Sequence, residues 1–214
     1  MHAPEAVLRA ALEFRDRLDY AGVVALCDPA SVESELRQWC ELFAPCTEAG
    51  FRRENPDFPD AQVLDVVAYL NRRSSEQIPR HAPGIMTYAE FLALAPTDYY
   101  RRSLERDDTR LEIIRRMRAR GRPVPEAALA PPTGFVYEIL PAESVSDDEV
   151  IVRYRMQFDD DRRVEDPELE HERLHRMHDG TWRLVARRDL LHSRGSVVNI
   201  VDGVADLFDD GPSG

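Results

Sequence analysis

The chain contains no lysine: all 28 of its basic residues are arginine, a bias of genome composition before it is one of mechanism. Only 10 of its 214 residues are glycine, and they are scattered, so no glycine-rich loop is present to cradle a phosphate. Three cysteines, Cys27, Cys40 and Cys46, cannot all pair within one chain and read as reduced thiols. No apolar run approaches the length of a membrane span. The opening residues M-H-A-P-E-A-V-L-R-A lack the basic start and apolar centre of a signal peptide. A cytoplasmic protein with no membrane contact is the expectation. Positive charge is also short: 40 acidic residues against 28 basic give a net charge of −12. An acidic surface repels phosphates, which counts against a nucleic-acid partner.

What is present is enough hydrophobic sequence, 43%, for one real core. It is organised around residues 149–191. Val150, Val152, Tyr154, Met156 and Phe158 alternate with Ile151, Arg153, Arg155 and Gln157, and a period of two argues for a strand with one buried face. Residues 159–167 are charged, end in proline and read as an exposed connection. Residues 169–177 alternate more weakly. Asp179-Gly180 then predicts a hairpin, with both residues at positive φ in a type I′ turn. Trp182, Leu184 and Ala186 alternate with Arg183, Val185 and Arg187 beyond it. Residues 134–140, with Phe135, Tyr137 and Ile139 on one side, supply an earlier strand. Short links between consecutive strands predict an antiparallel meander of about four strands.

The N-terminal part reads as helices covering that sheet. Val7, Ala11, Phe14 and Leu18 form one stripe of a helix over residues 4–20. A short helix over 21–27 follows. Asp28-Pro29 caps and opens a third, carrying Val32, Leu36, Trp39 and Phe43. Residues 47–59 read as a loop, 60–71 as a helix and 74–84 as another loop. Thr87-x-x-Glu90 and Thr109-x-x-Glu112 read as capping boxes, with a helix over 97–106 between them. Gly121 and Pro123 end the second boxed helix, and four prolines between 123 and 133 lead into the sheet. The fold class is α+β: a curved antiparallel sheet packed on N-terminal helices, with a helical elaboration over 47–132. Residues 1–201 form one domain. Residues 202–214 form an acidic tail, preceded by a short edge strand over 196–201.

Several motifs invite chemistry. His171-Glu172-Arg173-Leu174-His175 matches H-E-x-x-H, in which two histidines one helical turn apart hold zinc and the glutamate activates water. Here the motif runs into Asp179-Gly180 and a strand. On a strand the two imidazoles are about 13 Å apart, and no glutamate follows Glu172 as a third ligand. No metal and no cofactor is therefore expected; only a helix through His171, His175 and His178 would revive a zinc hydrolase. The run Arg115, Arg116, Arg118, Arg120 and Arg122 lacks interleaved aromatics for stacking bases and reads as cations at a helix C-terminus. In Tyr99-Tyr100-Arg101-Arg102 one tyrosine reads as core and the arginines as surface. Ser193 and Ser196 lie near His192, but no nucleophile elbow frames them.

The run D-G-T-W-R-L-V-A-R-R-D-L at residues 179–190 resembles the last hairpin of nuclear transport factor 2-like domains. The run A-L-E-F-R-D-R-L-D-Y-A-G-V-V-A-L-C-D-P at 11–29 is similar to the opening helices of the same superfamily. The resemblance covers residues 4–43 and 134–191. It implies a cone, in which a strongly curved antiparallel sheet wraps around helices, often with a pocket at the open end and often dimeric through the sheet. Its members include ketosteroid isomerases, polyketide cyclases, dehydratases, transport factors and many domains with no catalytic activity. The chain departs from that pattern at 47–132, which is longer and more helical and reads as cover for the pocket mouth. The isomerase's aspartate base and tyrosine donor map onto no residue here.

The function expected first is a non-catalytic ligand-binding or protein-interaction domain, with a small apolar ligand or a protein as partner and a homodimer through the sheet. Tyr137, Tyr154 and Trp182 are the candidate pocket lining; the same positions are plain core in a pocketless version. The alternative is a small-molecule isomerase, cyclase or dehydratase with an acidic or imidazole group on the cavity floor. Asp189 and the three histidines are its candidates.

Overall fold

The computed structural model describes residues 3–131, 135–158, 169–187 and 190–191. The fold is α+β, a curled antiparallel sheet packed on helices. The expected edge strand over 196–201, the tail over 202–214, the connection over 159–167 and the candidates Asp189, His192, Ser193 and Ser196 lie outside the described residues.

The helical layer opens with α1 (Pro4–Asp16), α2 (Tyr20–Ala25) and α3 (Pro29–Phe43). The single long helix expected over 4–20 ends early. Leu18 turns left-handed at φ 59°, the Asp19 N–H reaches back to the Phe14 carbonyl at 2.8 Å, and the Asp19 carboxylate caps α2 at Gly22 N–H. This closure satisfies carbonyls that a helix end leaves open. The buried stripe is accordingly Val7, Leu8, Ala11 and Leu12, with Phe14 and Leu18 only packed against it.

The middle of the chain carries α4 (Glu48–Glu54), α5 (Asp60–His81), α6 (Tyr88–Leu92), α7 (Pro96–Asp107), α8 (Thr109–Ala119) and α9 (Glu126–Leu129). Two expected loops are helix. Thr47 caps α4 at Gly50 N–H, and Phe51 meets Phe58 edge-on at 5.2 Å. α5 runs on through Pro79. That proline sits in the last turn, where it removes one donor, while Ile78 and Ala82 are buried and His81 stacks on Trp39 at 4.2 Å. Thr87 and Glu90 form the expected capping box. At the start of α8 the cap is Asp108, accepting from Leu111 N–H, and Thr109 is already helical. Pro96 opens α7 rather than only breaking the segment before it.

The sheet is built from β1 (Phe135–Ile139), β2 (Glu143–Ser144), β3 (Glu149–Phe158), β4 (Glu170–Arg176) and β5 (Trp182–Leu184). Its order is β1-β3-β4-β5, with the short β2 also on β3. Val150 pairs with Leu174, Val152 with Glu172, and Leu174 with Leu184, so these positions share the concave face against which α1 packs. The β4–β5 turn is not type I′. Gly180 alone is left-handed, at φ 78°. The Asp179 carboxylate holds the turn by accepting from Thr181 N–H at 2.9 Å, the local bond that aspartate favours without positive φ. β5 is edged by residues 26–28: Leu184 N–H donates to the Leu26 carbonyl and Asp28 N–H to the Leu184 carbonyl. This contact ties the start of α3 to the sheet.

Candidate functional site

The concave face carries polar groups among the apolar ones. Arg15, near the end of α1, gathers several of them. It donates to the Leu191 carbonyl at 2.7 Å, to Asp16 Oδ1 at 3.3 Å and to the Tyr137 hydroxyl. The Tyr137 hydroxyl in turn donates to Asp16 Oδ1 at 3.0 Å. Arg110 of α8 closes the same helix end, donating to the Asp16 and Arg15 carbonyls at 2.9 and 2.8 Å, a favourable place for a cation. Burial pushes the Tyr137 phenol up to about 12, partly opposed by Arg15. Its ring meets Tyr154 at 6.3 Å and 70°.

Tyr154 is 1% exposed, and its hydroxyl makes no hydrogen bond among the described residues. Burial, and then the nearby Glu172 charge, raise its pKa. Glu172 is also 1% exposed. It accepts from Leu191 N–H at 2.7 Å and faces Arg187 Nε at 3.2 Å. Arg187 binds Tyr100 through its backbone: its N–H donates to the hydroxyl at 3.0 Å, and the hydroxyl donates to its carbonyl at 2.9 Å. Cys27 lies close by, its thiol pushed up to about 12 by burial and then by Glu172. At 3% exposure it is placed as a structural thiol.

Of the three residues expected to line a pocket, Tyr137 and Tyr154 meet. Trp182 does not join them. It pairs with Arg176, and Tyr154 pairs with Glu170, so six residues of β4 separate the two positions, about 20 Å at the rise of a strand. Tyr99 and Tyr100 are both core, at 1% exposure each, where the sequence predicted one. The H-E-x-x-H segment lies within β4, with Glu172 and Leu174 buried on one face and His171 and His175 on the other. Among the described residues no group of three histidine, cysteine, aspartate or glutamate side chains is placed to hold a metal ion. No described helix is long and apolar enough to cross a membrane.

Sequence reasoning passed over Arg15, Tyr100 and Glu172 as a set. Glu172 was legible from the same alternation that makes the segment a strand, since it shares a face with Leu174. Two of the partners of Arg15, Tyr137 and Leu191, lie more than 100 residues away in the chain and leave no local signal.

A second feature lies outside the concave face. A cleft of about 290 Å³ sits where the start of α3, the β2–β3 turn and the end of β4 meet, lined by Asp28, Ser146, Asp148, His175, Arg176 and others. Two of its lining residues meet: His175 Nδ1 lies 3.3 Å from Asp28 Oδ2.

Comparison with known proteins gives no match: no family model, curated protein or solved structure matches this chain.

Proposed function

We propose that this chain is a protein-interaction or ligand-binding domain of the nuclear transport factor 2-like type, in which the concave interior serves as core and not as a reaction chamber. The observation that carries this reading is the mutual engagement of the interior polar groups. Tyr137 is taken by Arg15 and Asp16, Glu172 by Leu191 and Arg187, and Tyr100 by the Arg187 backbone. Groups so engaged have few bonds left for a substrate. The partner is then met at the surface. A homodimer through the sheet would seat its outer face, where Arg153 pairs with Glu143 and Arg173 with Glu149. Titration with 1-anilinonaphthalene-8-sulfonate tests the reading. The native protein is expected to give no saturable fluorescence, and Tyr154→Ala, which empties core volume, is expected to gain a site. Tight stoichiometric dye binding by the native protein, lost in Tyr154→Trp, would contradict it.

One observation favours the isomerase, cyclase or dehydratase reading: a buried carboxylate, Glu172, beside a buried hydroxyl, Tyr154, that has no hydrogen bond among the described residues. An unsatisfied buried hydroxyl costs about 1–3 kcal/mol, and chemistry would explain its retention. Tyr154→Phe is then expected to raise the melting temperature. A fall would mean that the hydroxyl is structural.

A further inference from the structure

We propose that the cleft beside the start of α3 is a general-base site for hydrolysis of small carboxylic esters, with His175 as the base and Asp28 as its positioning residue. It goes beyond the binding reading, which concerns the interior, and neither depends on the other.

The Asp28 side chain is 9% exposed and that of His175 41%, so a sheltered carboxylate stands behind an accessible imidazole. Asp28 is fixed independently of the histidine. Its Oδ1 accepts from Ala30 N–H at 3.0 Å, its own N–H donates to the Leu184 carbonyl at 2.7 Å, and its carbonyl accepts from the Ser31 hydroxyl at 2.7 Å. A carboxylate only accepts, so a neutral His175 that bonds Asp28 does so with its hydrogen on Nδ1, and Nε2, on the opposite side of a ring that is 41% exposed and lines the cleft, keeps its lone pair. An orienting acid, an imidazole with an accessible acceptor nitrogen and an open volume beside it are what general-base chemistry needs. Asp148 and Glu149 line the same cleft, as does the cation Arg176, the group suited to a developing oxyanion. The volume of about 290 Å³ suits an acyl group of a few carbons.

The step balances without a further reactant. A water oxygen attacks the ester carbonyl carbon as Nε2 takes its proton. The bond to the leaving alkoxide then breaks, and the imidazolium returns the proton to that oxygen, giving acid and alcohol. His171 provides an internal control. It lies on the same outward face of β4, with no carboxylate partner for its ring among the described residues.

The test is hydrolysis of p-nitrophenyl acetate by the full chain, corrected for the buffer rate. His175→Gln should lose the protein-dependent rate by about tenfold or more, below the usual ceiling of a positioned base. Asp28→Asn keeps a good helix cap and should lower kcat with KM unchanged. His171→Gln should change neither, and the native rate should be slower in D₂O. A native rate no greater than that of free imidazole at equal concentration, equal losses in His175→Gln and His171→Gln, or an unchanged His175→Gln would each overturn the proposal. Those results would leave the dye titration of the interior unaffected.

Discussion

α1 and α5 are both amphipathic helices, yet they are held by different means. α1 has 13 residues and buries four of them, with Leu8, Ala11 and Leu12 at 0% exposure against the sheet. α5 has 22 residues and buries two, Val63 near its start and Ile78 near its end; Leu64 between them stands 65% exposed. Helices take most of their stability from an apolar face packed on something else. The half of the molecule around α1 therefore carries the cooperative core, and α5 is a long strut pinned at two points and expected to open first. Interior polar chemistry follows the same division, since Glu172 is 1% exposed and the half-buried Arg15 and Tyr137 lie against the same core.

Four changes would break or sharpen that contrast. Glu172→Ala removes the buried acceptor that faces Arg187 Nε and the Leu191 N–H, and should cost about 3–5 kcal/mol in denaturant unfolding. Glu172→Gln, which keeps an acceptor for that N–H, should cost less; equal losses would mean that charge and not hydrogen bonding dominates. Leu12→Ala should cost about 2–5 kcal/mol, while Leu64→Ala should stay within about 0.5 kcal/mol. Similar losses at the two sites would erase the distinction between α1 and α5.

Gly22→Ala comes next. A Cβ there would meet the Phe14 ring at 2.6 Å and Asp19 Oδ2 at 2.9 Å, so about 1–3 kcal/mol should be lost from the α1–α2 packing. A variant of native melting temperature would show that Phe14 simply turns aside. The smallest effect is at Glu90, whose carboxyl is held below its ordinary pKa by the N–H groups of Met86 and Thr87. A lowered folded value means that its contribution is present above the ordinary carboxylate range and is lost as pH falls through the lowered value. Acid should therefore lower the amide protection factors at the start of α6 in the native chain and not in Glu90→Gln.

The strands were legible because their signal is local. The alternation from Val150 to Phe158 sets both the strand and its buried face, and β3 has the expected bounds. The Thr87–Glu90 capping box was legible for the same reason. α5 beyond Asn71 was not, because Pro79 reads as a stop in isolation, and only the burial of Ile78 and the stacking of His81 on Trp39 and Phe43 of α3 outweigh it. The Asp28–His175 pair was hidden as well. Each residue had its own local reading, as a helix cap and as half of a zinc motif, and neither mentions the other.

The sequence by itself determined that an antiparallel sheet would be covered by an N-terminal helical layer, because periods of two and 3.6 are written in neighbouring residues. Tertiary structure alone decided which polar groups face one another. Whether Glu172 is a water activator or a buried brace, and whether His175 looks to a metal or to Asp28, depends on how β4 sits against α3. Asp28 and His175 are joined through space, across more than 140 residues of chain, by packing energies that no local pattern encodes.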